Sequence, residues 1–202
     1  MRRPLLVLAL LVCVGSIVLA DDPSIIFSDD FSTLDPAWGG ANNNLRVDGG
    51  NMVMQPDAQS SYTTLYSGNN FNDIDATITV TQTDGMNDEP AGIAFWGTDT
   101  DNFYVANFQT DGSFAVGRNE NAKWLFPVSW STQAAVKKGL NQANELRVVA
   151  KGKTATVYIN GTQVTSFKGF PPDGGSQIGI HSESGAKVYT WKFSNLVVRT
   201  PK

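Results

Sequence analysis

Few residues in this chain are equipped for acid–base or metal chemistry. His181 is the one histidine, and the glutamates number four: Glu89, Glu120, Glu145 and Glu183. Cleaving a glycosidic bond with retention needs two carboxylates about 5–5.5 Å apart. None of the four lies in an alternating acidic run that would set two on one strand face. Asp73 with Asp75, and Asp99 with Asp101, have i, i+2 spacing, but they fall where strands begin or turns bend, where carboxylates usually form turns. A single histidine cannot build a multi-histidine metal site, although alone it could act as an acid or a base. No phosphate loop, dinucleotide fingerprint or zinc spacing is present. By residue type, no catalytic residue is expected.

The aromatics offer more. Trp38, Trp96, Trp124, Trp130 and Trp191 are spread along the chain. Tryptophan pairs a large apolar face with a polar handle, and a sugar ring presents an apolar C–H face ringed by hydroxyls. Those hydroxyls need amides, carboxylates or a guanidinium fork. The stretch from Gly92 to Trp130 supplies each type. In one strand register Asn107 and Gln109 face one side and Tyr104 and Phe108 the other, while Arg118 and Trp124 bracket the following loop. The expected ligand-binding set is therefore Asn107, Arg118 and Trp124 around one concavity, with Trp96 or Trp130 as a second stacking plane. The competing reading places these tryptophans in the core and Arg118 on the surface. A one-residue slip at Asp111-Gly112 would reverse every facing.

The elements that must position these groups are strands. Gly, Asn, Asp, Ser and Thr punctuate short apolar runs throughout, and no helical periodicity is sustained. The pattern predicts thirteen or fourteen strands, from Ile25–Phe27 to Val188–Arg199, and one short helical turn between Thr132 and Leu140. Asp48-Gly49-Gly50, Thr110-Asp111-Gly112 and Asn160-Gly161 are hairpin turns, the last supplying the positive φ of a two-residue loop.

Arg2-Arg3, the apolar run Leu5–Leu19 and the short side chains Val18-Leu19-Ala20 read as a signal peptide over residues 1–20. The run is shorter than the roughly 20 residues of a spanning helix, so no membrane association is expected after cleavage. Cleavage would remove the one cysteine and two of the 15 basic residues but none of the 19 acidic ones, taking the net charge from −4 to −6. That excess opposes nucleic-acid binding. A monomeric, exported protein is expected, periplasmic or extracellular, with one domain over residues 21–202 large enough to fold without disulfides.

Several short pieces, taken in order, resemble a known family. They are Phe27-Ser28-Asp29-Asp30-Phe31-Ser32, Ala91-Gly92-Ile93-Ala94-Phe95-Trp96-Gly97, the hairpin Asn144–Phe167, Ile178-Gly179-Ile180 and Trp191–Val198. Their spacing resembles the concanavalin A-like lectin/glucanase superfamily, closest to the bacterial domain of unknown function 1080, also called 3-keto-disaccharide hydrolase-like. The resemblance implies an all-β jelly-roll β-sandwich of two antiparallel sheets in a single domain. Glucanases of that superfamily carry two glutamates flanking an aspartate at alternate strand positions, which this chain lacks. Many jelly-roll carbohydrate modules share a calcium between the first and last strands. Here those positions are Asp30 and Asn195, a poor start towards the 6–8 oxygens that calcium takes. No other cofactor is implied. The implied function is non-catalytic binding of a glycan or polysaccharide. A 3-keto-glycoside-cleaving enzyme and an envelope interaction domain without a small ligand are the alternatives. A pocket joining His181 or Glu183 to Asp or Asn oxygens would favour the enzyme, and a shallow groove with exposed tryptophan would favour binding.

Overall fold

The computed structural model describes residue 22 and residues 24–202; the signal-peptide reading falls on residues 1–20, outside the described residues. Among the described residues fourteen strands form, and alternation of apolar with polar side chains decides which face each one buries. The first sheet runs β12 (Thr162–Lys168), β11 (Thr154–Ile159), β10 (Asn144–Lys151), β5 (Ile74–Asp84), β14 (Thr190–Arg199), β3 (Asn51–Met54), β2 (Leu45–Asp48), with β1 (Ile25–Asp29) paired to β14. The second runs β4 (Ser60–Leu65), β13 (Gln177–Ser184), β6 (Ala91–Asp99), β7 (Asn102–Phe108), β8 (Ser113–Glu120), β9 (Lys123–Thr132). Every pairing is antiparallel, so the sandwich is a jelly roll.

The core lies between the sheets. On β5, Ile74, Ala76, Ile78 and Val80 point inward, while Asp75, Thr77, Thr79 and Thr81 between them are only partly covered. Trp191, Phe193, Leu196 and Val198 on β14 meet Ile93, Phe95, Ala106, Phe108, Phe114 and Ile180 from the other sheet. The inward set on β14 changes parity after Phe193 because Asn195 takes φ 54 and the register with β5 shifts between Ser194 and Val197. This is a bulge, which inserts a residue and re-aims those after it.

Where a helical turn is expected between Thr132 and Leu140, no helix forms, only one turn closed by Val136 N donating to Gln133 O at 3.2 Å. The Asn144 side chain clamps that segment as a loop: Lys137 N donates to its Oδ1 at 2.8 Å and its Nδ2 donates to Lys137 O at 3.0 Å. A single 3-10 turn forms instead at Pro36–Trp38, where Asp35 Oδ1 accepts from Ala37 N at 2.8 Å and proline fits the first turn.

Candidate functional site

Cross-strand partners project to the same side of a sheet. On the outer face of the second sheet the register aligns Thr63, His181, Gly92, Asn107 and Ala115 in one row. The neighbouring row is Leu65, Gly179, Ala94, Val105 and Gly117. Small residues in the middle of both rows leave the floor low. At Gly92 any side chain is excluded, since a Cβ would run into the Ala106 carbonyl of the adjacent strand. Over Gly117 lies the Trp124 ring, its Cζ3 2.8 Å from where a Cβ would stand.

The face is concave. β9 lies four strands from β13, about 19 Å in a flat sheet. Yet Trp124 on β9 meets His181 on β13 with ring centroids 5.5 Å apart, and Phe103 between them at 5.6 Å. Three aromatic side chains on β9, Trp124, Phe126 and Trp130, are 39%, 46% and 37% exposed and follow one another at centroid spacings of 6.4 Å. They form one wall of a cavity of about 320 Å³, whose other lining residues are Glu89, Pro90, Asn107, Gln109 and Glu183. Past the two glutamates the hollow continues as a groove of about 450 Å³ along Gln59, Ser60, Ser61 and Gly185.

Below this cleft His181 is fully buried between two polar partners. Its Nδ1 lies 2.8 Å from Thr63 Oγ1 and its Nε2 3.1 Å from Glu183 Oε1. The roles depend on the tautomer: with the hydrogen on Nε2, that nitrogen donates to Glu183 and Nδ1 accepts from the threonine hydroxyl. The histidine thus orients Glu183. Asn107 is 2% exposed, and its amide oxygen is buried without a hydrogen-bond partner.

Glu89 faces Glu183 from a firmly pinned loop. Gln82 Nε2 donates to Met86 O at 2.7 Å, Thr110 Oγ1 to Asn87 Oδ1 at 2.8 Å, and Gln109 Nε2 to Asp88 O at 2.8 Å. Tyr189 OH donates to Asp88 Oδ1 at 2.7 Å, and Glu183 N donates to Pro90 O at 2.9 Å. Burial, then the charges of Glu183 and Asp88, push the Glu89 carboxyl above the usual carboxylate range. Burial first, and then the hydrogen bond to Asp88, push the Tyr189 phenol up to about 12. Because the native state holds that proton more tightly than the unfolded chain, the stabilisation is complete below the ordinary phenol value of 10 and is lost as pH rises from 10 towards 12. Thermal melts across that window should fall more steeply for the native protein than for Tyr189→Phe; equal slopes would contradict the assignment.

Of the residues expected to gather, Asn107, Trp124 and Trp130 line this cleft. Arg118 and Trp96 do not. Arg118 pairs with Tyr104 in the β7–β8 register and so points to the opposite face from Asn107. It sits between the rings of Tyr104 and Phe170, 5.3 and 5.2 Å from their centroids, and is ion-paired with Glu120. Packing explains the arginine without a ligand. Trp96 takes φ 50 at an irregularity in the β6–β7 pairing, which turns it, like Phe95, into the core, 3% exposed and edge-on to Tyr104. Trp38 and Trp191 are core residues as well.

Asp30 and Asn195 do not make a fitting calcium set. Asp30 Oδ1 accepts from Ser32 N at 2.9 Å, and the neighbouring Asp29 spends its oxygens on Phe31 N and Trp38 Nε1 at 2.7 and 2.8 Å. Among the described residues no group of three His, Cys, Asp or Glu side chains converges as metal ligands would. Sequence reading missed that Glu89 and Glu183 converge, since they belong to a loop and a strand far apart in sequence. It also missed Phe126, although the spacing Trp124, Phe126, Trp130 carried that signal.

Solved structures with the same architecture include the carbohydrate binding module CBM66 from Bacillus subtilis, with TM-score 0.64 and 17% identity over 78% of this chain and 92% of that one. The Bacillus licheniformis beta-glucanase has TM-score 0.63 and 8% identity over 87% and 98%. The GH43 protein BlXynB (K247S mutant), also from Bacillus licheniformis, has TM-score 0.66 and 14% identity over 86% of this chain and 39% of that one. At these identities the likeness is one of fold, the concanavalin A-like sandwich. No curated protein matches the sequence. The model of the 3-keto-alpha-glucoside-1,2-lyase-like domain matches residues 27–199, nearly all of the sandwich, and the chain belongs to that family.

Proposed function

We propose that this protein binds a carbohydrate chain in the concave cleft of its second sheet, outside the cytoplasm. The observation that carries the reading is the cleft itself: three exposed aromatic rings on β9 stand across from a buried amide and two carboxylates. Rings of this kind cover the apolar face of a sugar, and the polar wall takes its hydroxyls. The groove beyond Glu89 and Glu183 adds about 450 Å³ to the cleft, which suits a chain rather than a single sugar. The structural neighbours, which include a carbohydrate binding module and a beta-glucanase, support the same reading. A glycan array, run on exported protein whose mass places its first residue at Asp21, is the test. Binding to oligosaccharides is expected, and silence across the array would leave an interaction domain as the better account.

One observation favours a second reading, glycoside cleavage. Glu89, its proton held more tightly than usual, faces a Glu183 oriented by His181, which is how an acid and a base are divided between two carboxyls. The family's lyase-like description suits such a pair. Product formation from bound oligosaccharides, lost in both Glu89→Gln and Glu183→Gln, would establish it; binding without turnover would not.

A further inference from the structure

The two charged side chains that line the cleft, Glu89 and Glu183, carry the same sign. Asn107, whose buried Oδ1 has no hydrogen-bond partner, lines the cavity with them, and among the described residues no lysine or arginine lines either the cavity or its extension. The two carboxylates cannot spread apart by moving their backbones, because Glu183 N is hydrogen-bonded to the carbonyl of Pro90, the residue after Glu89. Asp88 and Gln109 pin the same loop from its other side. Like charges therefore face each other in the free protein, and after burial, the larger cause, they make Glu89 hold its proton more tightly than usual. The same cavity is lined by the rings of Trp124, Phe126 and Trp130, and an aromatic π cloud attracts a cation while rejecting an anion.

We propose that the carbohydrate held in this cleft carries protonated amino groups, as a glucosamine-containing chain does. The inference rests on the carbohydrate reading above and names the class of sugar. An ammonium group brings N–H donors to Glu89 and Glu183, neutralises the pair, and lies against the aromatic wall. A neutral sugar supplies donors but leaves the two charges facing each other. A uronic acid or sulfated sugar adds a third negative charge. An inorganic cation would use the carboxylates and gain little from three aromatic rings, so the wall argues for an organic one.

The experiment is calorimetric titration of the wild-type protein, at mildly acidic pH, with three hexasaccharides: de-acetylated chitosan, fully acetylated chitin and cellulose-derived. The chitosan hexasaccharide is expected to bind at least about tenfold more tightly than the other two, with an affinity that drops as salt is added. In Glu183→Gln the chitosan hexasaccharide should lose more affinity than the neutral ligands, so that the preference shrinks, and circular dichroism checks that this variant is folded. Equal or tighter binding of the neutral hexasaccharides overturns the inference and leaves the carbohydrate reading standing. Failure of all three to bind overturns both. Calcium chloride that binds alone, and no longer does so in Glu183→Gln, overturns it in favour of a metal.

Discussion

Replacing Trp124 with alanine is expected to weaken oligosaccharide binding by about 1–3 kcal/mol, roughly fivefold to a hundredfold in Kd, the range for an anchor aromatic. The residue has two surfaces with different roles. Its buried edge covers Gly117 and touches Phe103 and His181, while 39% of it remains open to the cleft. Loss of the ring removes a stacking plane and opens the roof above His181. Beneath it the cluster Leu65, Ala94, Phe103 and Val105 keeps its own contacts, so the fold should survive with a smaller loss of stability. Isothermal titration and a chemical melt on the same preparation separate the two effects. If Kd per folded molecule is unchanged, the ring belongs to packing and the cleft has been misread.

Trp191→Ala should have the largest effect on stability, about 3–5 kcal/mol, the cost typical of truncating a buried tryptophan. For a domain whose total stability is about 5–15 kcal/mol, that approaches unfolding. Trp191 is fully buried, edge-on to Phe108 at 6.1 Å, and its Nε1 donates to Glu183 O at 3.3 Å. The variant therefore hollows the core and also frees a carbonyl of the strand that carries Glu183. Trp191→Phe, which keeps most of the bulk but no N–H donor, should lose less stability and isolate the effect of that bond on ligand affinity. A urea midpoint for Trp191→Ala close to that of the native protein would refute the argument.

What could be read from sequence follows from the period of the strands. Alternation alone places Asn107 and Gln109 opposite Tyr104 and Phe108, and β5 alternates cleanly from Ile74 to Val80. Alternation fails where the backbone departs from it. Trp96 lies at a positive φ that no residue type in its neighbourhood announces, so its facing reverses. Arg118 required the β7–β8 register, which pairs Phe108 with Phe114 across the Thr110–Gly112 turn; only with that register does Arg118 fall beside Tyr104 rather than Asn107. The glutamate pair depends on β13 lying next to β6, a neighbourhood made by the order of strands in the sheet and not by their order in the chain. Spacing rules look for two acids on one strand, and these two come from a loop and a strand.

The aromatic wall and the carboxylates hang on unlike supports. Glu183 rides on β13, hydrogen-bonded to strands on both sides, whereas β9 is an edge strand paired only with β8. Its register slips twice, between Phe114 and Val116 and between Val116 and Arg118, and Pro127 interrupts its amides. A strand held along one side opens locally at lower free energy than one held along both. The cleft therefore works as a vice with one fixed jaw and one sprung jaw. A carbohydrate bound as proposed is expected to be accommodated by movement of the rings on β9 rather than of Glu183. Amide protons of β9 should exchange sooner than those of β13, and a bound chain that spans both jaws should slow them most.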